Sequence, residues 1–136
     1  MSVETDVVLY DAETAQTLDY APDGILRHLR TGEYTFETGG VLPDVVLGFE
    51  TWGTLNEDAS NAVYIAHALT GDSHVARGLS TEPGWWDGFV GPGKTVDTDR
   101  YFVVSANMVG GCSGSTGPAS LDPDGKPSTK AQAGGV

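Results

Sequence analysis

Two short runs, Ala62-Val63-Tyr64-Ile65-Ala66 and Tyr101-Phe102-Val103-Val104-Ser105-Ala106, are apolar along nearly their whole length, and each gives way to a loop of small residues. Continuous apolar runs this short, bounded by turn residues, read as strands buried on both faces. The first stops at His67 and turns through Ala68-Leu69-Thr70-Gly71-Asp72-Ser73-His74; the second stops at Asn107 and enters Gly110-Gly111-Cys112-Ser113-Gly114. In an α/β sheet, chemistry gathers in the crevice just past the carboxyl ends of the strands. Gly71 and its neighbours let main-chain N–H groups turn toward a bound oxygen there. The first turn therefore reads as half of an oxyanion hole.

Around these two strands the sequence organises into three stretches. Residues 1–33 are acidic, with short apolar patches and no sustained period, and read as a loosely packed N-terminal arm. Residues 34–121 read as the core. Within it, strands are expected over 34–37 and 45–52, joined through Gly39-Gly40 and Pro43-Asp44 as turn chemistry, with a polar connection at 55–61. Pro83-Gly84-Trp85-Trp86-Asp87-Gly88 reads as a turn or one short helix. A parallel sheet needs crossover connections, usually helices, to cover its faces. The 66–101 segment has room for one such helix and no other is in sight, so the expected fold is α/β with an incomplete sheet. After Asn107 glycine, serine and proline dominate, and residues 122–136 form a divergent tail.

Composition narrows the function classes. Acidic residues outnumber basic ones 19 to 7, for a formal charge of −12. That balance disfavours nucleic acid or an anionic membrane as partner and describes a solvated, self-repelling surface, of the kind that high salt screens. Cys112 is the only cysteine, so neither an intrachain disulfide nor a cysteine zinc cluster can form. The N-terminus lacks the basic and apolar regions of a signal peptide, and no apolar run approaches the ~20 residues that span a bilayer. A cytoplasmic setting is expected.

Several motifs are decoys on physical grounds. Gly88 to Thr95 satisfies G-x-x-x-x-G-K-[ST], but a phosphate loop works only when a helix leaves it and presents its N-terminal N–H groups. Here a turn and a strand follow, so the loop reads as a connector. Gly110-Gly111-Cys112-Ser113-Gly114 has the form of a cysteine nucleophile elbow, but the glycines and prolines after it forbid the helix an elbow must enter. His67 and His74, seven apart with Asp72 between them, lack a third metal ligand with ordered spacing. His67 is expected to bond the loop backbone and His74 to pack nearby, with no acid placed to orient either as a base. Asp122-Pro123-Asp124-Gly125 lacks the distal glutamate of a calcium loop and reads as a turn.

Taken in order, six blocks resemble the N-terminal portion of the homoserine O-acetyltransferases. They are Thr51-Trp52-Gly53-Thr54-Leu55-Asn56, Ser60-Asn61-Ala62-Val63, His67 through His74, Pro83-Gly84-Trp85-Trp86-Asp87 with Gly91-Pro92-Gly93-Lys94, Asp97-Thr98-Asp99-Arg100-Tyr101-Phe102, and Asn107 through Cys112 to Ser115-Thr116-Gly117-Pro118. The resemblance runs from about residue 34 to residue 126 and implies an α/β-hydrolase fold. It also implies ping-pong acyl transfer from an acyl-coenzyme A to the hydroxyl of homoserine, in methionine biosynthesis, through a serine served by a histidine and an aspartate. By position, the backbone N–H of Leu69 would be one of two oxyanion donors. No residue of the 136 matches the triad, so no catalytic side chain is assigned, and the chain alone is expected to be inactive. No cofactor or metal is expected, acyl-coenzyme A being a substrate. The expected partners are a C-terminal half carrying the triad or a second copy of the chain. A truncated product, a frameshift and half of a split enzyme all fit. So does a non-catalytic binding or assembly module derived from the same fold.

Overall fold

The computed structural model describes residues 9–11 and 24–121; the tail at 122–136 and the Asp122–Gly125 turn lie outside them. Every regular element among the described residues is a strand. Five strands form a mixed sheet: β1 (Leu9–Asp11), β2 (Arg27–Thr35), β3 (Val41–Trp52), β4 (Ala62–Tyr64) and β7 (Phe102–Ala106). Their order is β1-β2-β3-β7-β4. A separate two-stranded ribbon pairs β5 (Val90–Gly91) with β6 (Val96–Asp97).

β2 and β3 form an antiparallel hairpin closed at 36–40, where Phe36 N–H donates to Gly40 O at 2.7 Å and Gly39 adopts a φ of 86°. This differs from the sequence reading in two ways. Strand β2 begins at Arg27, inside the stretch read as a loose arm, and ends before Phe36. Its Arg-His-Leu-Arg-Thr-Gly-Glu-Tyr sequence has no period of its own, and the pairing with β3 imposes the extended form. Pro43 and Asp44 are not a turn but lie within β3. There Gly32 pairs with Val45 and Tyr34 with Leu42, so β3 carries an extra residue at this point. A bulge is a position in a strand that tolerates proline, which has no N–H to give the ladder.

β7 lies at the centre of the half that concerns function. It pairs antiparallel to β3 (Trp52↔Val103, Glu50↔Ser105) and parallel to β4 (Val63↔Val103). The parallel pair requires a crossover, and residues 65–101 supply it without a helix. Turns and the β5–β6 ribbon take its place, because Gly78, Pro83, Gly84, Gly88, Pro92 and Gly93 break every helical period in the segment. At Gly84 the backbones nearly touch: an added Cβ would lie 2.2 Å from Ala76 N and 2.3 Å from the Val75 carbonyl carbon. That closeness lets Trp85 N–H and Trp86 N–H donate to His74 O and Val75 O.

The crossover covers one sheet face. Trp52, Ile65, Val75, Ala76, Val90 and Val103 form the buried cluster, with Val63, Val96 and Tyr101 packed against it. The opposite face is less covered than two wholly apolar strands had implied: Tyr64 is 58% exposed, and β4 stands at the edge of the described sheet. The Gly88–Thr95 segment leads into β6 and not a helix; Gly93 N–H is taken by the Asp97 carboxylate and the Lys94 ammonium by the Asp87 carbonyl.

Candidate functional site

The carboxyl ends of the parallel strands β4 and β7 open side by side. The loop at 67–72 leaves the first and the loop at 107–113 leaves the second, and a cleft of about 680 Å³ lies between them. Leu69, Met108 and Val109 expose apolar side chains there. The loops that follow the two central strands therefore meet in space.

The first loop turns tightly, with Gly71 N–H donating to Ala68 O at 2.8 Å. This bond spans four residues, so 68–71 is a β-turn with Leu69 and Thr70 at its two central positions. In such a turn only the N–H of the fourth residue is used internally, and those of the two central residues are left free. Accordingly, the Leu69 N–H has no hydrogen-bond partner among the described residues, and the Leu69 side chain is 100% exposed. His67 hydrogen-bonds the loop backbone, as its sequence reading holds. Its Nδ1 lies 2.7 Å from Ala68 O, which can only accept, so Nδ1 carries the proton; Nε2 then faces Met108 N–H at 3.4 Å. The ring thereby spans from the first loop to the second.

Below the turn is a buried polar network that the sequence reading did not foresee. Glu50, 4% exposed on β3, accepts from Ser73 Oγ at 2.8 Å through Oε1 and lies 2.7 Å from His74 Nδ1 through Oε2. His74 Nε2 is 3.0 Å from Glu82 O. With Glu50 ionised both ring nitrogens face acceptors, so both donate and His74 is an imidazolium paired with the Glu50 carboxylate. Burial works against the charged ring, but its bonds to the Glu82 carbonyl and the Glu50 carboxylate outweigh that and raise its pKa above the ordinary imidazole value. Burial raises the Glu50 pKa too, offset in part by the hydrogen bonds from His74 and Ser73. The expectation that His74 merely packs, with no acid to orient it, is thus corrected. The acid comes from β3, 24 residues upstream. A lone glutamate in the run Val45-Val46-Leu47-Gly48-Phe49-Glu50-Thr51-Trp52 was the available signal, since a charge in a buried strand must find a partner.

Asn107, at the end of β7, ties this network to the second loop. Its Oδ1 accepts from Ser73 N at 2.8 Å, and its Nδ2 donates to Ser73 Oγ at 2.9 Å and to Ser113 O at 2.5 Å. Ser115 Oγ then bridges Asn107 O and Gly48 N–H. The second loop is turns and bends through residue 120, with Cys112 exposed on it. Among the described residues no helix follows to make it an elbow. Among the described residues no group of three or more His, Cys, Asp or Glu side chains could hold a metal ion, and no helix is long and apolar enough to cross a membrane.

No family model matches the chain. Among individual proteins, the homoserine O-acetyltransferase of Thermobifida fusca is 57% identical over 110 residues, covering 78% of this chain and 29% of the relative. The structure of homoserine O-acetyltransferase from Bacillus anthracis superposes with a TM-score of 0.65 at 38% identity, over 74% of this chain and 30% of that one. Esterase E22 gives a TM-score of 0.66 at 36% identity, over 76% of this chain and 31% of that one. The chain thus spans about a third of the length of the proteins it matches. Its residues correspond to the N-terminal part of the homoserine O-acetyltransferase family and form the matching portion of an α/β-hydrolase fold.

Proposed function

We propose that this chain supplies the first strands and half of the oxyanion hole of an enzyme that moves an acetyl group from acetyl-coenzyme A to the hydroxyl of homoserine, in the cytoplasm. The observation that carries the reading is the unpartnered Leu69 N–H, held on a β-turn at the mouth of the cleft between β4 and β7. When a nucleophile adds to a thioester carbonyl, negative charge gathers on the carbonyl oxygen. A donor already fixed in place stabilises that charge without reorganising at the moment of reaction. The N–H at the second position of a hydrogen-bonded turn meets this requirement, because the turn itself does not use it.

The other roles are not filled by the described residues. Cys112 and Ser113 lie on a loop without the helix that would present a nucleophile. His74 donates from both nitrogens, so it has no lone pair for general-base work. A nucleophilic serine, its histidine and aspartate and the second oxyanion donor belong to the C-terminal part of the fold, or to a partner chain bearing it. Acetyl-coenzyme A and homoserine are substrates of that whole, and no cofactor is invoked.

The test uses a chimera in which residues 24–121 replace the matched segment of the Thermobifida fusca relative. Homoserine-dependent release of coenzyme A thiol by the chimera, with none from the 136-residue chain, is the expected result. Thiol release that does not need homoserine would indicate water as acceptor and replace the transferase reading with an esterase one. An inactive, folded chimera would leave these residues as a binding or assembly module.

A further inference from the structure

We propose that the Glu50–His74 ion pair is a positioning device that holds the 68–71 turn in the geometry needed to present the Leu69 N–H. The inference rests on the reading of that turn as an oxyanion donor. Its basis is how little else secures the turn on its C-terminal side. The N-terminal stem is β4, held by the sheet. The C-terminal stem is Asp72-Ser73-His74, and each of these residues is fixed through the pair or its neighbours. His74 N–H donates to Asp72 Oδ1 at 2.9 Å, Ser73 Oγ to Glu50 Oε1 at 2.8 Å, and Trp85 Nε1 to Asp72 O at 2.9 Å. Asn107 grips the Ser73 backbone from the other side at 2.8 Å.

The arrangement works only with His74 doubly protonated. If the ring loses a proton, one nitrogen lone pair must face either the Glu50 carboxylate or the Glu82 carbonyl, and neither can donate to it. The ring then leaves one partner and the stem loosens. The charged groups acting on His74 are Glu50 from β3 and Asp72 from its own loop; Asn107 from β7 is neutral, and the 82–85 segment offers His74 the Glu82 carbonyl and the backbone N–H of Trp85. Both acids favour the cation. Among the described residues no cation faces the ring to expel the proton.

Two measurements test this. In the chimera, kcat should fall on the alkaline side as His74 deprotonates, with KM for acetyl-coenzyme A constant within about twofold. Glu50→Gln should shift that limb to lower pH and reduce kcat about tenfold at its optimum, short of the ~10²–10³-fold that loss of a whole oxyanion donor costs. His74→Gln, which cannot titrate, should remove the limb. An alkaline limb unchanged in both variants would overturn the proposal while leaving the oxyanion reading intact. In the 136-residue chain, NMR should show the Leu69 and Gly71 amides shifting with the same midpoint as the His74 ring nitrogens, and not shifting in His74→Gln. Amides that stay flat while the His74 ring titrates would also overturn it. Because this readout needs no turnover, it separates a failed positioning role from a failed transferase assignment.

Discussion

Removing the Asn107 side chain should loosen both loops of the site at once, and the structure sets the size of the effect. Asn107 is 3% exposed. Asn107→Ala leaves its backbone bonds to Gly48 and Ser115 in place, so the change isolates the amide. Three hydrogen bonds are lost. Ser73 Oγ keeps Glu50 as partner, but the buried Ser73 N–H is left with nothing, and the Ser113 carbonyl is left to whatever water reaches it. A buried group stranded this way costs about 1–3 kcal/mol, and counting Ser73 N–H fully and Ser113 O in part gives about 3 kcal/mol. Against a typical total of about 5–15 kcal/mol for a domain, that is a large share. Urea denaturation followed by tryptophan fluorescence reads it as a lower midpoint at constant m-value. Ser113→Ala is the control: only its carbonyl is engaged, and about 0.5 kcal/mol or less is expected. A loss below about 1 kcal/mol for Asn107→Ala would mean that water replaces the amide, and that the network does not hold the loops.

Stability should fall as pH rises above about 4.5, because Glu50 and His74 both have raised pKa values. A raised value means the folded state holds its proton longer, so the contribution is complete below the unfolded pKa and is lost as pH climbs through the folded one. Asp58, Asp87 and Asp97 are lowered by hydrogen bonds from Ser60, Arg77 and Gly93 and act in the opposite sense below about pH 4. Thermal melts should therefore peak on the acid side of neutrality, and Glu50→Gln should flatten the decline; a peak above pH 8 would contradict this. Gly84→Ala should cost about 3 kcal/mol or more, since its Cβ has no space between the Val75 and Ala76 backbones; a wild-type urea midpoint would refute the close approach. With a net charge of −12, melts should rise between 0.1 and 1 M KCl as the screening length shrinks from about 10 to 3 Å, and a flat response would show that charge repulsion does not limit stability.

The central strands and both site loops were legible because their signals are local. An apolar run that stops at a small-residue turn is the same pattern whether read in sequence or in space, and β3, β4, β7 and the 68–71 turn all follow it. What escaped the sequence is what long-range pairing decides. β2 is polar and takes its extended form from β3, and Pro43 sits in a bulge that only the register reveals. The crossover does without a helix because the Gly84 contact and the β5–β6 ribbon cover the sheet face. The Glu50–His74 pair joins residues from different elements, so neither residue's neighbours in sequence announce it. The lone acid in an apolar strand was the one hint.

The most direct test of the central claim is Leu69→Pro in the chimera, assayed by homoserine-dependent thiol release. Position 69 is the second residue of a hydrogen-bonded β-turn, where proline is well accepted, so the substitution removes the N–H with little disturbance of the backbone. If that N–H stabilises the transition-state oxyanion, kcat should drop by about 10²–10³-fold while the melting temperature stays close to that of the parent. A Leu69→Pro chimera that is equally stable and retains full kcat would show that the turn is not half of an oxyanion hole.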